Sequence, residues 1–314
     1  MKTLLEAVRH FSEPMVCVNA VAQMCWDDGI PQCPKCESKS ILWLENQMRF
    51  KCRACKKQFS VKVGTIFEDS PISLDKWLVA IWLIGSCKNG ISSYEMAKDL
   101  GITQKSAWFM LHRIRVAMKD ETGVVLGVGE PVEVDETFIG GNPKNMHAKK
   151  RLARKVGGNS YDGKAIVMGM LDRSTREVRA KVVPNVKRET LQNEILKQVC
   201  PGETVYTDGW GGYLGLDAKN FVHDTVNHVD EYVRGNVHTQ GIENFWSCLK
   251  RTLRGTCVAV EPFHLDAYLD EQMFRFNSRR THDDAGRMNK VLSQVAGRRL
   301  TYKELTGKEG ETAF

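Results

Sequence analysis

Residues 236–254 read Asn236-Val-His-Thr-Gln-Gly-Ile-Glu-Asn-Phe-Trp-Ser-Cys-Leu-Lys-Arg-Thr-Leu-Arg254. Thr239 is an N-cap by residue type, and apart from Gly241 the residues after it suit one helix running to Arg254. Ile242, Phe245, Trp246, Leu249 and Leu253 recur at spacings of three and four, which predicts a single buried stripe. Glu243, Lys250 and Arg254 lie along another side, about two turns and then one turn apart. That carboxylate is too far from the lysine for a direct ion pair, so the side has room for a bound group alongside both. Taken alone, a solvated face is the simpler reading. Two acidic residues upstream change the weighing.

The first is Asp135, within Pro131-Val-Glu-Val-Asp-Glu-Thr-Phe-Ile-Gly-Gly141, a β-prone run closed by a Gly-Gly turn. An acid in the middle of a largely apolar strand needs a partner or an ion to offset its burial. The second is Asp208, in Glu203-Thr-Val-Tyr-Thr-Asp-Gly-Trp-Gly-Gly-Tyr213. There an ordinary turn aspartate is the bland alternative, because Asp-Gly is a common turn dipeptide. Two strand acids and one helix acid, if brought together, make an oxygen-rich site for Mg²⁺ or Mn²⁺. Strand alternation is taken to send Glu133 and Glu136, on either side of Asp135, to the opposite face.

Asp135, Asp208 and Glu243, with 72 and 34 residues between them, resemble the Asp-Asp-Glu triad of insertion-sequence transposases with an RNase H-like core, in the group related to the Merlin superfamily. The phrases Val134-Asp-Glu-Thr137, Tyr206-Thr-Asp-Gly209 and His238-Thr-Gln-Gly-Ile-Glu-Asn-Phe-Trp246 carry the resemblance, and Lys250 matches a basic residue seven positions after the glutamate. The similarity runs from about Cys33 to Asn277. It implies two catalytic divalent ions on the triad, Lys250 and Arg254 as contacts to DNA, and inverted-repeat ends and target DNA as partners. It also implies a homodimer or larger assembly on DNA.

Composition agrees with that class. A hydrophobic content of 42% with 26% charged residues is that of a globular chain with a sizeable core, and no apolar run approaches the roughly 20 residues of a membrane span. The N-terminus mixes charges into its apolar residues and lacks a secretory pattern, so a cytoplasmic protein is expected. The net charge of +7 is modest, but basic residues cluster at 144–155, 250–254 and 275–280, as a polyanionic partner would require.

Ten cysteines in a chain with no secretory signal do not read as a disulfide framework. Cys33-Pro-Lys-Cys36 and Cys52-Arg-Ala-Cys55 pair thiolates at the spacing of tetrahedral Zn²⁺. Four ligands leave no open position, which predicts a structural zinc ribbon. Cys17, Cys25, Cys87, Cys200, Cys248 and Cys257 are expected to be small buried hydrophobes. Residues 74–118 read as three helices, the last two joined at Gly101 like a helix-turn-helix. In that reading Gln104, Lys105, Trp108 and His112 face a DNA groove, with Arg113 and Arg115 near phosphates. A plain three-helix packing unit fits the pattern equally well; the neighbouring ribbon and the downstream acids favour DNA binding.

The expected architecture is α+β and multidomain. An N-terminal segment with a zinc ribbon (1–70) and a helix-turn-helix-like region (71–120) precede an RNase H-like mixed α/β domain (128–282) and a C-terminal tail (283–314). Within the third region, strands at 131–139, 164–172, 177–184 and 203–207 and a helix at 188–199 would bring Asp135 and Asp208 together. Residues 140–162, rich in Gly, Asn, Lys and Arg, suit a basic loop able to lie on DNA. His223, His228 and His238 lack partners at ligand spacing, and a structural role is expected for each. The function implied is metal-dependent cleavage at insertion-sequence ends followed by strand transfer. Two alternatives stand beside it: a DNA-binding regulator without catalysis, and a stand-alone metal-dependent nuclease. Intact acids at all three positions argue against the first, and separate DNA-reading modules against the second.

Overall fold

The computed structural model describes residues 1–26, 28–120, 123–141, 147–149, 163–226 and 235–307. The chain divides into two units, Met1–Lys119 with Ser278–Phe314, and Asp120–Asn277.

The first unit opens with helices α1 (Leu4–His10) and α2 (Pro14–Cys25), followed by a small antiparallel sheet of β1 (Ile41–Leu44), β2 (Arg49–Cys52) and β3 (Gln58–Phe59). Phe50 is the centre of that sheet's core, with the rings of Trp43, Phe59 and Trp26 at 4.9, 5.5 and 5.8 Å. An apolar core this small cannot hold three short strands alone, and the cysteine cluster supplies the rest. Helix α3 (Leu74–Ser86) is apolar on nearly every side and buried from Trp77 to Gly85. Helices α4 (Ser93–Leu100) and α5 (Gln104–Met118) start on Ser92 and Thr103, whose hydroxyls accept from the amides of Glu95 and Ser106. They are joined at Gly101, where φ of +59° suits glycine.

The residues read as a C-terminal tail form structure of their own. Helices Asp284–Leu292 and Tyr302–Thr306 are capped by Asp283 and by a reciprocal Thr301–Glu304 box, and the first packs on α3. Arg113 Nε donates to the Leu300 carbonyl at 3.0 Å, and Arg298 Nη1 to that of Lys119 at 2.8 Å. Residues 308–314 lie outside the described residues.

The second unit is a five-stranded mixed sheet in the order β6-β5-β4-β7-β8. Its strands are β4 (Val132–Ile139), β5 (Ala165–Asp172), β6 (Val178–Val183), β7 (Thr204–Asp208) and β8 (Val222–Val226). β4, β5 and β6 are antiparallel neighbours, whereas β7 runs parallel to both β4 and β8. Helix α6 (Arg188–Gln198) crosses from β6 to β7 and covers one face, packing Leu191 and Ile195 against Val132, Val134, Met168 and Met170. The other face carries α7 (Gln240–Arg251) and α8 (Leu265–Ser278), which bury Ile242, Phe245, Trp246 and Leu249 with Leu265 and Leu269 on Val167, Leu171 and Val178. Even-numbered residues of β4 therefore face α6 and odd-numbered ones face α7, as the two-residue period requires. The chain thus combines a zinc-ribbon sheet, helices, and a mixed five-stranded sheet with helices on both faces that is consistent with an RNase H-like core. β8 is the one strand of this sheet that the alternation of the sequence does not announce.

Candidate active site

The zinc ligands come together as their spacing requires. Cys33, Cys36, Cys52 and Cys55 have sulfur atoms all within 4.8 Å of one another. The pairs Cys33–Cys55 and Cys36–Cys52 are 3.6 Å apart, close to the roughly 3.8 Å edge of a tetrahedron with metal–sulfur bonds of about 2.3 Å. The Cys55 amide donates to Cys52 Sγ at 3.5 Å, and the Cys52 thiol is held well below its ordinary value, first through that bond. The four residues fit a structural Zn²⁺. Of the six other cysteines Cys17 alone is fully buried; the remaining five are half-buried, a correction to the uniform expectation.

Two of the acids lie on the parallel central pair of strands, Asp135 within β4 and Asp208 as the last residue of β7. β4 and β7 pair in parallel with Val132 opposite Val205 and Glu133 opposite Tyr206. Continuing that register two residues sets Asp135 level with Asp208 at the strand's end. Asp135 faces α7, where the Trp246 indole Nε1–H donates to its Oδ2 at 2.9 Å. Gly169, its direct partner on β5, makes room: a Cβ there would lie 2.5 Å from the Trp246 ring. Glu243 projects from the first turn of α7, and the Thr239 hydroxyl donates to its Oε1 at 3.0 Å. Thr239 thus precedes the helix as expected but spends its hydroxyl on Glu243 rather than on a backbone cap.

Asp135, Glu136, Thr137, Glu243, Trp246, Ser247 and Lys250 line one open cleft of about 490 Å³. Burial, then the charge of Asp208 and, more weakly, that of Glu243, lift Asp135 to about pKa 6 against the Trp246 bond. Glu136 is lifted to about 7, first by burial, with the Tyr213 hydroxyl donating to its Oε2 and opposing the shift. Lys250 is pulled below its usual range by burial and by Arg254, while Asp135 opposes the shift. Asp135 and Glu243 line the cleft and Asp208 lies near enough for its charge to act on Asp135, a set of carboxylate oxygens that fits a hard divalent cation. Among the described residues only the four cysteines have ligand atoms packed within a common 4.8 Å, so the acids border a cleft rather than a closed cage.

Other expectations need correction. Glu133 does not oppose Asp135: two residues apart on a strand, they share the face toward α7, and only Glu136 points to the α6 side. The helix expected to reach Arg254 stops at Arg251 and widens into a π-turn over Thr252–Cys257, which leaves Arg254 exposed. On α5, His112, Arg113 and Arg115 are buried at 1%, 4% and 2% exposure, so His112 is not presented to a groove, nor the two arginines to phosphates. Each falls on the inner stripe with Leu111 and Ile114. Lys105 is exposed, Trp108 and Gln104 are half-buried, and Gln104 donates to the Ser93 hydroxyl at 2.8 Å. His238 is structural: its Nδ1 sits 2.8 Å from an Arg173 guanidinium nitrogen, and its pKa is lowered, by burial first. His223 lies on β8 with Nε2 2.9 Å from the Thr207 hydroxyl. His228 and most of the basic stretch 140–162 lie outside the described residues. Trp246, Tyr213, Thr239 and Arg173 partner the acids through contacts that local pattern does not reveal, whereas the placement of Glu133, two residues before Asp135, follows from strand periodicity.

Comparison with known proteins gives concordant matches. Residues 127–277 match the ISXO2-like transposase domain, and residues 15–58 the transposase zinc-ribbon domain. The chain is 26% identical over 256 residues to an uncharacterized protein in transposable element ISH50 of Halobacterium salinarum, which spans 78% of this chain and 85% of the relative. It is 36% identical over 102 residues to an uncharacterized transposase-like protein of Haemophilus influenzae, 32% of this chain and 82% of the relative. Among the described residues no helix is long and apolar enough to cross a membrane.

Proposed function

The chain belongs to the ISXO2-like transposases that carry a transposase zinc ribbon, and from that membership we propose that it cuts DNA at the ends of its own insertion sequence and joins the freed 3′-hydroxyls to target DNA. The observation that carries this reading is geometric. Asp135 on β4 shares one cleft with Glu243 and Lys250 of α7, and the parallel pairing of β4 with β7 sets Asp208 alongside Asp135.

Cleavage and joining are both in-line displacements at phosphorus, so one site can serve each in turn. Asp135, Asp208 and Glu243 would hold two Mg²⁺ or Mn²⁺ ions, which supply charge stabilisation for the attacking and leaving oxygens. The protein's share is orientation. Trp246 fixes the carboxylate plane of Asp135 through Oδ2, and Thr239 does the same for Glu243 through Oε1. Lys250 offers an ammonium to a phosphate in the cleft, with the exposed Arg254 one turn on. In the first unit, the exposed Lys105 and the half-buried Trp108 are the α5 residues left to touch DNA. Pairing two element ends calls for at least two copies of the chain.

The test is cleavage and strand transfer of a labelled end duplex in Mg²⁺ or Mn²⁺, comparing wild type with Asp208→Asn. Metal-dependent products joined to target, absent from the variant, are expected. End-specific binding with no product from either protein would replace this reading with a regulator. Cleavage that ignores the end sequence and never joins would replace it with a nuclease.

A further inference from the structure

We propose that Glu133 and Arg173 form a clamp that sets the helix bearing Glu243 against the strands bearing Asp135 and Asp208, which makes Glu133 a positioning residue and not a fourth metal ligand. The inference rests on the catalytic reading of those three acids. Glu133 is a completely buried carboxylate, and both of its oxygens are occupied. Oε2 accepts the backbone N–H of Ile242 at 2.9 Å, and Oε1 accepts Arg173 Nε at 2.8 Å.

The Ile242 amide is one of the donors that the start of a helix leaves without an internal partner. Thr239 provides no side-chain cap, so a carboxylate from the neighbouring strand does so, with its negative charge at the positive end of the helix dipole. Gly241 then has a reason for standing where a helix disfavours it. A Cβ at that position would lie 2.8 Å from Glu133 Oε2 and 3.1 Å from Oε1, so only glycine lets the carboxylate reach the amide.

Arg173 completes the clamp from the turn after β5. Its Nη1 donates to the Asn236 carbonyl at 2.7 Å, and its Nη2 to the His238 carbonyl at 2.8 Å. The same Nη2 donates to His238 Nδ1 at 2.8 Å, which fixes that ring with its proton on Nε2. The guanidinium also lies over the Tyr206 ring, 4.7 Å from its centre, and Tyr206 is two residues before Asp208. One ion pair thus touches the strand of the first acid, the strand of the second and the lead-in to the helix of the third. Because its oxygens are taken by donors that cannot leave without unpairing a buried charge, Glu133 is not free to bind a cation.

The test compares wild type with Glu133→Gln and Gly241→Ala on two readouts. One is hydrogen–deuterium exchange of peptides covering 239–247 in the metal-free protein. The other is Mn²⁺ binding to the protein–end-duplex complex, read from the free-ion EPR signal. In Glu133→Gln the new NH₂ must oppose either Arg173 Nε–H or the Ile242 N–H, donor against donor. Exchange at 239–247 should quicken, and half-saturating Mn²⁺ should rise by about 10–100-fold, the scale for loss of groups that orient metal ligands, with end binding within about twofold of wild type. Gly241→Ala leaves every charge in place and should shift both readouts in the same direction, so the test survives if the first variant fails to fold. Wild-type exchange and wild-type Mn²⁺ binding in either folded variant would overturn the clamp. If the wild type itself binds no Mn²⁺, the catalytic reading fails, and the exchange comparison alone still decides whether Glu133 caps the helix.

Discussion

Replacing Asp135 with Asn should stabilise the metal-free second unit at pH 8 while abolishing catalysis. In the folded chain Asp135 keeps its proton to about pH 6, whereas an unperturbed aspartate gives it up near 3.8. Above pH 6 the folded state therefore carries a charge that burial and the neighbouring Asp208 make costly. Moving the pKa from 3.8 to about 6, at about 1.36 kcal/mol for each tenfold change in proton affinity, sets a ceiling of about 3 kcal/mol on that cost. Asparagine keeps the shape and an oxygen for Trp246 Nε1–H and carries no charge. Its amide still loses hydration, so a gain of about 1–3 kcal/mol is expected, equivalent to roughly 2–12 °C in the melting of a unit of this size. Calorimetry at pH 8 with EDTA is the assay. Because the folded pKa lies above the unfolded one, the penalty shrinks as pH falls through 6 and is gone below about 4, so the two melting curves should converge there. Added Mg²⁺ should raise the wild-type midpoint and leave the variant unmoved. A variant that melts lower than wild type at pH 8, or a gap that does not change with pH, would refute the reasoning.

Four further outcomes follow from the same geometry. Gly169→Ala places a methyl group 2.5 Å from the Trp246 ring and should cost about 1–3 kcal/mol by denaturant titration, with loss of strand transfer as Trp246 leaves Asp135. Lys250→Ala should weaken binding to every end duplex and lower the slope of log K against log[salt] by about 1, without changing sequence preference in a competition assay. Chelating zinc, or replacing Cys52 with Ser, should unfold the β1–β3 sheet, seen as loss of near-ultraviolet signal from Trp43, and end-specific binding should fall with it. Tyr213→Phe strips the buried Glu136 carboxyl of its hydroxyl donor and should cost about 1–3 kcal/mol at pH 8, less at pH 6 where Glu136, with its pKa of about 7, is protonated.

Much of this was written in local pattern. The cysteine pairs announce their site by spacing alone, and the stripe of Ile242, Phe245, Trp246 and Leu249 announces the helix that closes the sheet. Strands β4, β5 and β6 carry enough β-branched residues to be read directly. What stayed hidden depends on contacts distant in sequence. β8 is short, carries His223 and Asp224, and becomes a strand by pairing with β7. The Glu133–Arg173 clamp spans 40 residues, and its helix target lies 109 residues from Glu133. The inward turn of His112, Arg113 and Arg115 comes from packing within the first unit: Arg113 finds its acceptor at Leu300, in a stretch read as tail. That stretch had signals, Asp283 as a cap and Thr301 with Glu304 as a box, but the helices they start are only nine and five residues long. Over so few residues periodicity is weak.

The most direct test of metal-dependent phosphoryl transfer at this site is the metal preference of an Asp208→Cys variant in strand transfer. A thiolate in place of the carboxylate suits Mg²⁺ poorly and tolerates the softer Mn²⁺ better. Joined product is expected to vanish in Mg²⁺ and to return in part in Mn²⁺, with end binding unchanged. Wild-type joining by the variant in Mg²⁺ would contradict it, because Asp208 would then hold no ion that the reaction requires.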